Sequence, residues 1–159
     1  MEKIVLFGWV FYLEKDGDFD KEKCGKWMFF FNKDEVEKVD EICKKAVEQG
    51  VVKECKYSDV INFPKKDGVS CFYLNCDDEE GHKKVITYFL NNNLIPRTKS
   101  GKLYNISFKK DTQTRAKEYG DKFSSDIKLE QFIDLNTGEW IKWKIVELNG
   151  LAKSLIVGN

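Results

Sequence analysis

The alternation of apolar and polar positions divides this chain into strands and two clear helices. Residues 3 to 13 form one apolar run, with Val5, Phe7, Trp9 and Phe11 alternating with Ile4, Leu6, Val10 and Tyr12. Apolar character on both faces predicts a single central strand covered on each side. A polar loop from Asp16 to Gly25 follows, and Lys26 to Phe31 is a second strand. Val36, Val39, Ile42, Cys43, Ala46 and Val47 then recur at helical spacing, with Asn32 or Asp34 as N-cap and Gly50 as the stop. Val51–Ser58 and Val69–Asn75 alternate as strands on either side of a loop containing Pro64 and Gly68. In the latter strand Val69, Cys71 and Tyr73 lie on one side, Phe72 and Leu74 on the other. Asp77 or Asp78 caps a second helix whose inner face is Val85, Tyr88, Phe89 and Leu90; Asn92, Asn93 and Pro96 end it.

Tyr104, Ile106 and Phe108 alternate with Asn105, Ser107 and Lys109, so Leu103–Lys109 also reads as a strand. One or two helical turns capped by Thr112 or Thr114 follow it, ending at Tyr119 and Gly120. Residues 121 to 127 read as polar and irregular. Leu129–Leu135 and Glu139–Val146 flank the turn Asn136-Thr137-Gly138 as a hairpin, with Ile141, Trp143 and Ile145 facing the core. Leu151–Val157 docks as a last strand. The expected fold is α+β: one domain over residues 1–159, with a single curved, mainly antiparallel sheet of six to eight strands. Its two main helices pack on the convex face and leave the other face concave and free.

The composition narrows the function. A 159-residue chain with 42% hydrophobic and 14% aromatic residues builds a firm core. Formal net charge is zero, which disfavours a long nucleic-acid partner. Of 27 basic residues only Arg97 and Arg115 are arginine, a skew that suggests an AT-rich genome such as that of a low-GC bacterium or its phage. Five cysteines without paired spacing and a single histidine give no zinc pattern, so no metal and no cofactor are expected. Reduced, mostly buried thiols, no signal-peptide layout and no long apolar run together predict a cytoplasmic protein without a membrane partner.

The order of short motifs resembles a known family. Gly25-Lys26-Trp27-Met28 opens a strand, a helix follows, then come Lys56-Tyr57-Ser58 and Val69-Ser70-Cys71-Phe72-Tyr73-Leu74-Asn75 with Asp77-Asp78. A second helix and Phe108-Lys109-Lys110-Asp111-Thr112-Gln113-Thr114 with Tyr119 complete the series. Over roughly residues 25 to 120 this is similar to the basophilic-leukaemia-expressed-protein family, whose fold is like that of the mRNA cap-binding translation initiation factor 4E. The resemblance implies a nucleotide-sized groove on the front of a curved sheet. The cap-binding factor grips its nucleotide between two tryptophans; in this chain Trp27 sits in a motif, whereas Trp140 lies outside the matched stretch.

The candidate site is centred on Asp111, Thr112, Gln113, Thr114 and Arg115. Read as a phosphate or ribose clamp, this corner offers hydroxyls and a bidentate guanidinium; read structurally, it caps a helix and solvates a loop. Lys56, Asn105 and Lys109 face the groove if their strands lie as drawn, with Tyr119 at its end. Trp27 and Trp140 can stack a base, although a tryptophan at a strand start also suits a core. His82 reads as a surface histidine, and Asp77-Asp78-Glu79-Glu80 as a helix start complementing the dipole.

No Gly-rich phosphate loop, nucleophile elbow or metal-ligand spacing is present. The favoured expectation is a non-enzymatic binding module for a small anionic ligand, most simply a nucleotide, in the manner of a phage protein that sequesters a signal used in host defence. A protein-binding inhibitor or adaptor, and an enzyme acting on a phosphorylated substrate, remain alternatives.

Overall fold

The computed structural model describes residues 1–64, 67–119 and 125–141, together with the backbone of 142–148 and 151–157. Its elements in chain order are β1 (Glu2–Leu6), β2 (Trp9–Leu13), β3 (Cys24–Asn32), α1 (Val36–Glu48), β4 (Glu54–Ser58) and β5 (Asp67–Asn75). They are followed by α2 (Glu79–Asn91), β6 (Lys109–Lys110), α3 (Asp111–Arg115), β7 (Lys142–Leu148) and β8 (Leu151–Val157). β1 to β6 form one antiparallel sheet in the order β1-β2-β4-β5-β3-β6, and β7 pairs with β8 alone. The expected α+β class with an antiparallel sheet is what the molecule shows.

Three strand expectations need correction. The apolar run 3–13 is a hairpin at the sheet's edge, because Phe7 (φ 49°) and Gly8 (φ 81°) both turn left-handed and Leu6 pairs with Trp9. A two-residue loop with both residues at positive φ matches the strand twist, so the chain reverses there. The stretch 103–109 is mostly irregular: it touches neighbours through the isolated bridges Arg97–Leu103 and Ser107–Lys128 and joins the sheet only at Lys109. Residues 129–141 make a tight corner, with the turn closed by the Asp134 carboxylate and the bridge Ile133–Trp140, while the last strand pair starts only at Lys142. Ile141 is half-buried, and the side chains of Trp143 and Ile145 lie outside the described residues. Most of the 121–127 segment does too.

Both long helices pack on one face of the sheet. α1 buries Val39, Ile42, Cys43, Ala46 and Val47, and α2 buries His82, Val85, Ile86 and Phe89. They meet Val10 and Tyr12 of β2, Trp27, Phe29 and Phe31 of β3, Cys55 and Tyr57 of β4, and Phe72 and Leu74 of β5 in one cluster. Phe72 packs edge-on to Phe89 with ring centres 5.1 Å apart, a geometry that aligns ring edge with ring face. Each such side chain contributes roughly 1.5–3 kcal/mol through burial. Polar groups on this face are tied off. Asp40 Oδ1 accepts from the hydroxyls of Tyr12 and Tyr57, both at 2.7 Å, and from Lys3 Nζ at 3.0 Å, which fastens α1 to the edge hairpin.

Candidate functional site

The sheet's second face follows from the same alternation. With period 2, the neighbours of the core residues point away from the helices. Register places Phe11, Lys56, Cys71 and Met28 in one row across β2, β4, β5 and β3. The adjacent row runs Glu54, Tyr73, Lys26 and Lys109 across β4, β5, β3 and β6. Cys24, Cys71 and Tyr73 form a small buried cluster here with Phe19 from the 14–23 loop.

Three ammonium groups and several aromatic rings therefore share this face. Lys56 Nζ lies 3.8 Å from the centre of the Trp9 ring, 5.6 Å from that of Phe11 and 5.8 Å from that of Tyr73. Among the described residues it forms no salt bridge, so ring faces are its principal partners. Burial pulls its pKa down, and the positive charge of Lys26 adds to the effect. Lys26 Nζ is 5.7 Å from the centre of the same Tyr73 ring, and it donates to Asp111 Oδ1 at 2.8 Å and Thr114 Oγ1 at 3.0 Å. Lys109, next across the sheet, donates to the Glu118 carbonyl at 2.6 Å and sits 3.8 Å from the Tyr119 ring centre. Burial, and then Lys26, lower its pKa as well. The phenol of Tyr73 and the thiol of Cys71 are pushed up by burial, the latter to about 11, so both are neutral near pH 7.

Of the residues expected at the site, the structure brings Lys56, Lys109, Asp111, Thr114 and Tyr119 to this face or its margin. Others it places elsewhere. Trp27 is fully buried on the helix side, where its indole N–H donates to His82 Nδ1 at 2.9 Å. It cannot stack a ligand, because its odd position on β3 points it into the core. Trp140 is half-buried against that same core. Arg115 turns outward from Lys109: its Nη2 donates to the Lys21 carbonyl at 3.2 Å and lies 3.8 Å from Glu22. Gln113 Oε1 accepts the backbone N–H of Lys110, and Asn105 Oδ1 accepts that of Glu130. Thr112 lies within α3, a single turn too short to offer an anion site at its start.

His82 is also corrected. It is 3% exposed, and both ring nitrogens are engaged, Nδ1 by Trp27 and Nε2 by the Cys76 carbonyl at 2.9 Å. Accepting the indole proton at Nδ1 leaves Nε2 as the donor, and burial depresses its pKa. A neutral ring with both nitrogens occupied has no capacity to act as a general base.

Trp9, Phe11, Lys26 and Tyr73 also line this candidate face, and sequence reasoning did not single them out. A signal existed: Trp9 and Phe11 share a parity, as do Cys71 and Tyr73, and Lys26 lies in the Gly25-Lys26-Trp27-Met28 motif. Beside Tyr73 a cavity of about 400 Å³ reaches the sheet's end, but Glu14, Asp18, Asp78 and Glu80 outnumber Lys53 and Lys84 on its wall. That balance disfavours a phosphate, whereas the lysine row favours one. Among the described residues no group of three His, Cys, Asp or Glu is placed to hold a metal ion, and no helix is long and apolar enough to cross a membrane. Comparison with protein-family models and with curated proteins finds no match to this chain.

Proposed function

We propose that this chain is a binding module that holds a nucleotide, or another small phosphorylated ligand, on the sheet face turned away from the helices. One observation carries the reading: Lys56 is half-buried among the rings of Trp9, Phe11 and Tyr73, with a second ammonium, Lys26, on the same tyrosine. A desolvated cation gains from a ligand anion that replaces lost water, and the rings beside it can stack a base. The resemblance to the 4E-like fold supports the same face, although the aromatic residues proposed here are Trp9, Phe11 and Tyr73. The five unpaired cysteines suit a reducing cytoplasm. A module of this size would act by sequestering its ligand, as a phage protein against a host signal would.

The test is heat stability across a panel of nucleotides, followed by titration calorimetry. A ligand at 100 times its Kd stabilises the fold by about 2.7 kcal/mol, which is readily seen as a shift in Tm. Lys56→Met should abolish the shift while leaving the unliganded Tm nearly unchanged. A panel with no shift at all would remove this reading, and consumption of a nucleotide in the same tubes would replace it with an enzyme.

A second reading has its own observation. The edge hairpin exposes Ile4, Val5, Leu6 and Phe7, the last at 87%, and Phe63 packs beside Gly8 at its turn. Apolar residues on an unpaired strand edge suit a protein partner. A stoichiometric complex lost on Phe7→Ser, with no nucleotide shift, would favour an adaptor or inhibitor.

A further inference from the structure

Resting on the nucleotide-binding reading, a second conclusion concerns how that face is regulated. We propose that the segment Asp111–Tyr119 is an internal competitor, in which the Asp111 carboxylate occupies the lysine that a ligand phosphate takes when it binds.

In strand order Lys26 on β3 lies between Lys56 on β4 and Lys109 on β6, and its electrostatic influence reaches both. It is also the most fully occupied by an acid: Asp111 Oδ1 at 2.8 Å is its ion-pair partner, and Thr114 Oγ1 accepts a second hydrogen bond from it at 3.0 Å. A carboxylate and a hydroxyl on one ammonium present the same acceptor oxygens that a phosphate offers. Lys26 is 8% exposed, so a phosphate reaches it only when α3 moves aside.

The segment is built to move. No residue of α3 is fully buried, although Asp111 to Thr114 are half-buried against the sheet. Its attachments include the two rungs of β6, Gly25–Lys110 and Lys26–Lys109, polar contacts to Lys26 and Lys109, the Tyr119 ring on Lys109, and contacts from Arg115 to Lys21 and Glu22. Lys117 is held at φ 57°, a left-handed conformation that a side chain bearing a Cβ resists. Exchange of the carboxylate for a ligand phosphate thus replaces one charge-assisted contact with another and leaves the helix-side core untouched.

The competitor sets a threshold. A ligand must bring more negative charge than the single carboxylate it displaces, which selects phosphate monoesters and diphosphates. The experiment is titration calorimetry at low salt with ADP and with inorganic pyrophosphate, on the wild-type chain, Lys56→Met, Asp111→Asn and Thr114→Val. Asp111→Asn should bind both probes more tightly, by about tenfold, since a neutral amide holds Lys26 less firmly. Thr114→Val should tighten them less. A folded Asp111→Asn chain that binds as the wild type does, or more weakly, would overturn the competitor while leaving the site intact. If the wild type and all variants ignore both probes, the nucleotide reading itself fails and takes the competitor with it. Trypsin offers a second readout that needs no variant: ADP should speed cleavage after Arg115 and Lys117, and protection of these bonds would contradict displacement.

Discussion

The two faces of the sheet use polar groups in opposite ways. On the helix face polar side chains are locked to partners inside the fold: Asp40 by two tyrosines and a lysine, His82 by Trp27 and a backbone carbonyl, Tyr88 by the Ile42 carbonyl. On the other face Lys56 rests on aromatic rings and Lys26 on a carboxylate carried by a half-buried single turn. The contrast teaches that one antiparallel sheet can separate the two tasks by parity alone. Odd positions of β3 build the main core, and its even positions carry Lys26 and Met28 on the opposite face.

The largest expected effect tests the first half of that division. Phe89→Ala removes a fully buried ring from the centre of the cluster and should lower stability by about 3–5 kcal/mol in urea unfolding. Trp9→Ala, on the other face, should leave the unfolding midpoint close to wild type yet weaken nucleotide binding by about 1–3 kcal/mol. Equal losses of stability in the two variants would erase the distinction between the faces.

The smallest effect is a pH dependence, and its sign follows from His82. Burial holds the folded pKa below the ordinary 6.5, so the unfolded chain binds the proton more readily. The stabilisation is fully present above about pH 6.5 and is lost as pH falls below it. Because the chain has one histidine, a drop in the urea midpoint from pH 7.5 to 5.5 reports on this residue. Two shifted carboxyls titrate on the acid side of this window. Glu54, raised by burial, titrates in the opposite sense from its ordinary 4.5 upward. At Asp40 burial raises the pKa, but hydrogen bonds from Tyr12, Tyr57 and Lys3 outweigh it, so that stabilisation is lost only below its ordinary 3.8. A midpoint that rises on acidification across pH 6.5 would contradict the neutral, doubly bonded ring.

Much of the scaffold was legible because it depends on local periodicity. α1 and α2 lie where their apolar spacing put them, and the parity of β4 and β5 separates Cys55 and Tyr57 from Lys56, and Phe72 and Leu74 from Cys71 and Tyr73, as expected. The β1–β2 turn was hidden because its first residue is Phe7, a bulky side chain in a left-handed conformation, where Asn or Asp would have signalled a reversal. With that turn missed, Trp9 and Phe11 read as buried centre and not as the wall beside Lys56. Trp27 and His82 were misplaced for a related reason. Their mutual hydrogen bond joins β3 to α2 across 55 residues, and no local pattern encodes such a pairing. Arg115 sits in the polar corner read as a clamp, but position along the chain says nothing about the direction of its side chain, which turns to Lys21 and Glu22.

The uneven pairing of β3 has a dynamic consequence. One edge is bonded to β5 along all nine residues, whereas among the described residues the other meets β6 only at Gly25 and Lys26. Amide hydrogens shared with β5 should therefore exchange with solvent only through global unfolding, and those at the β6 rungs through a shallow local opening. A single strand would then carry both the slowest and some of the fastest clocks in the molecule, and the boundary between them would mark where the sheet stops being scaffold.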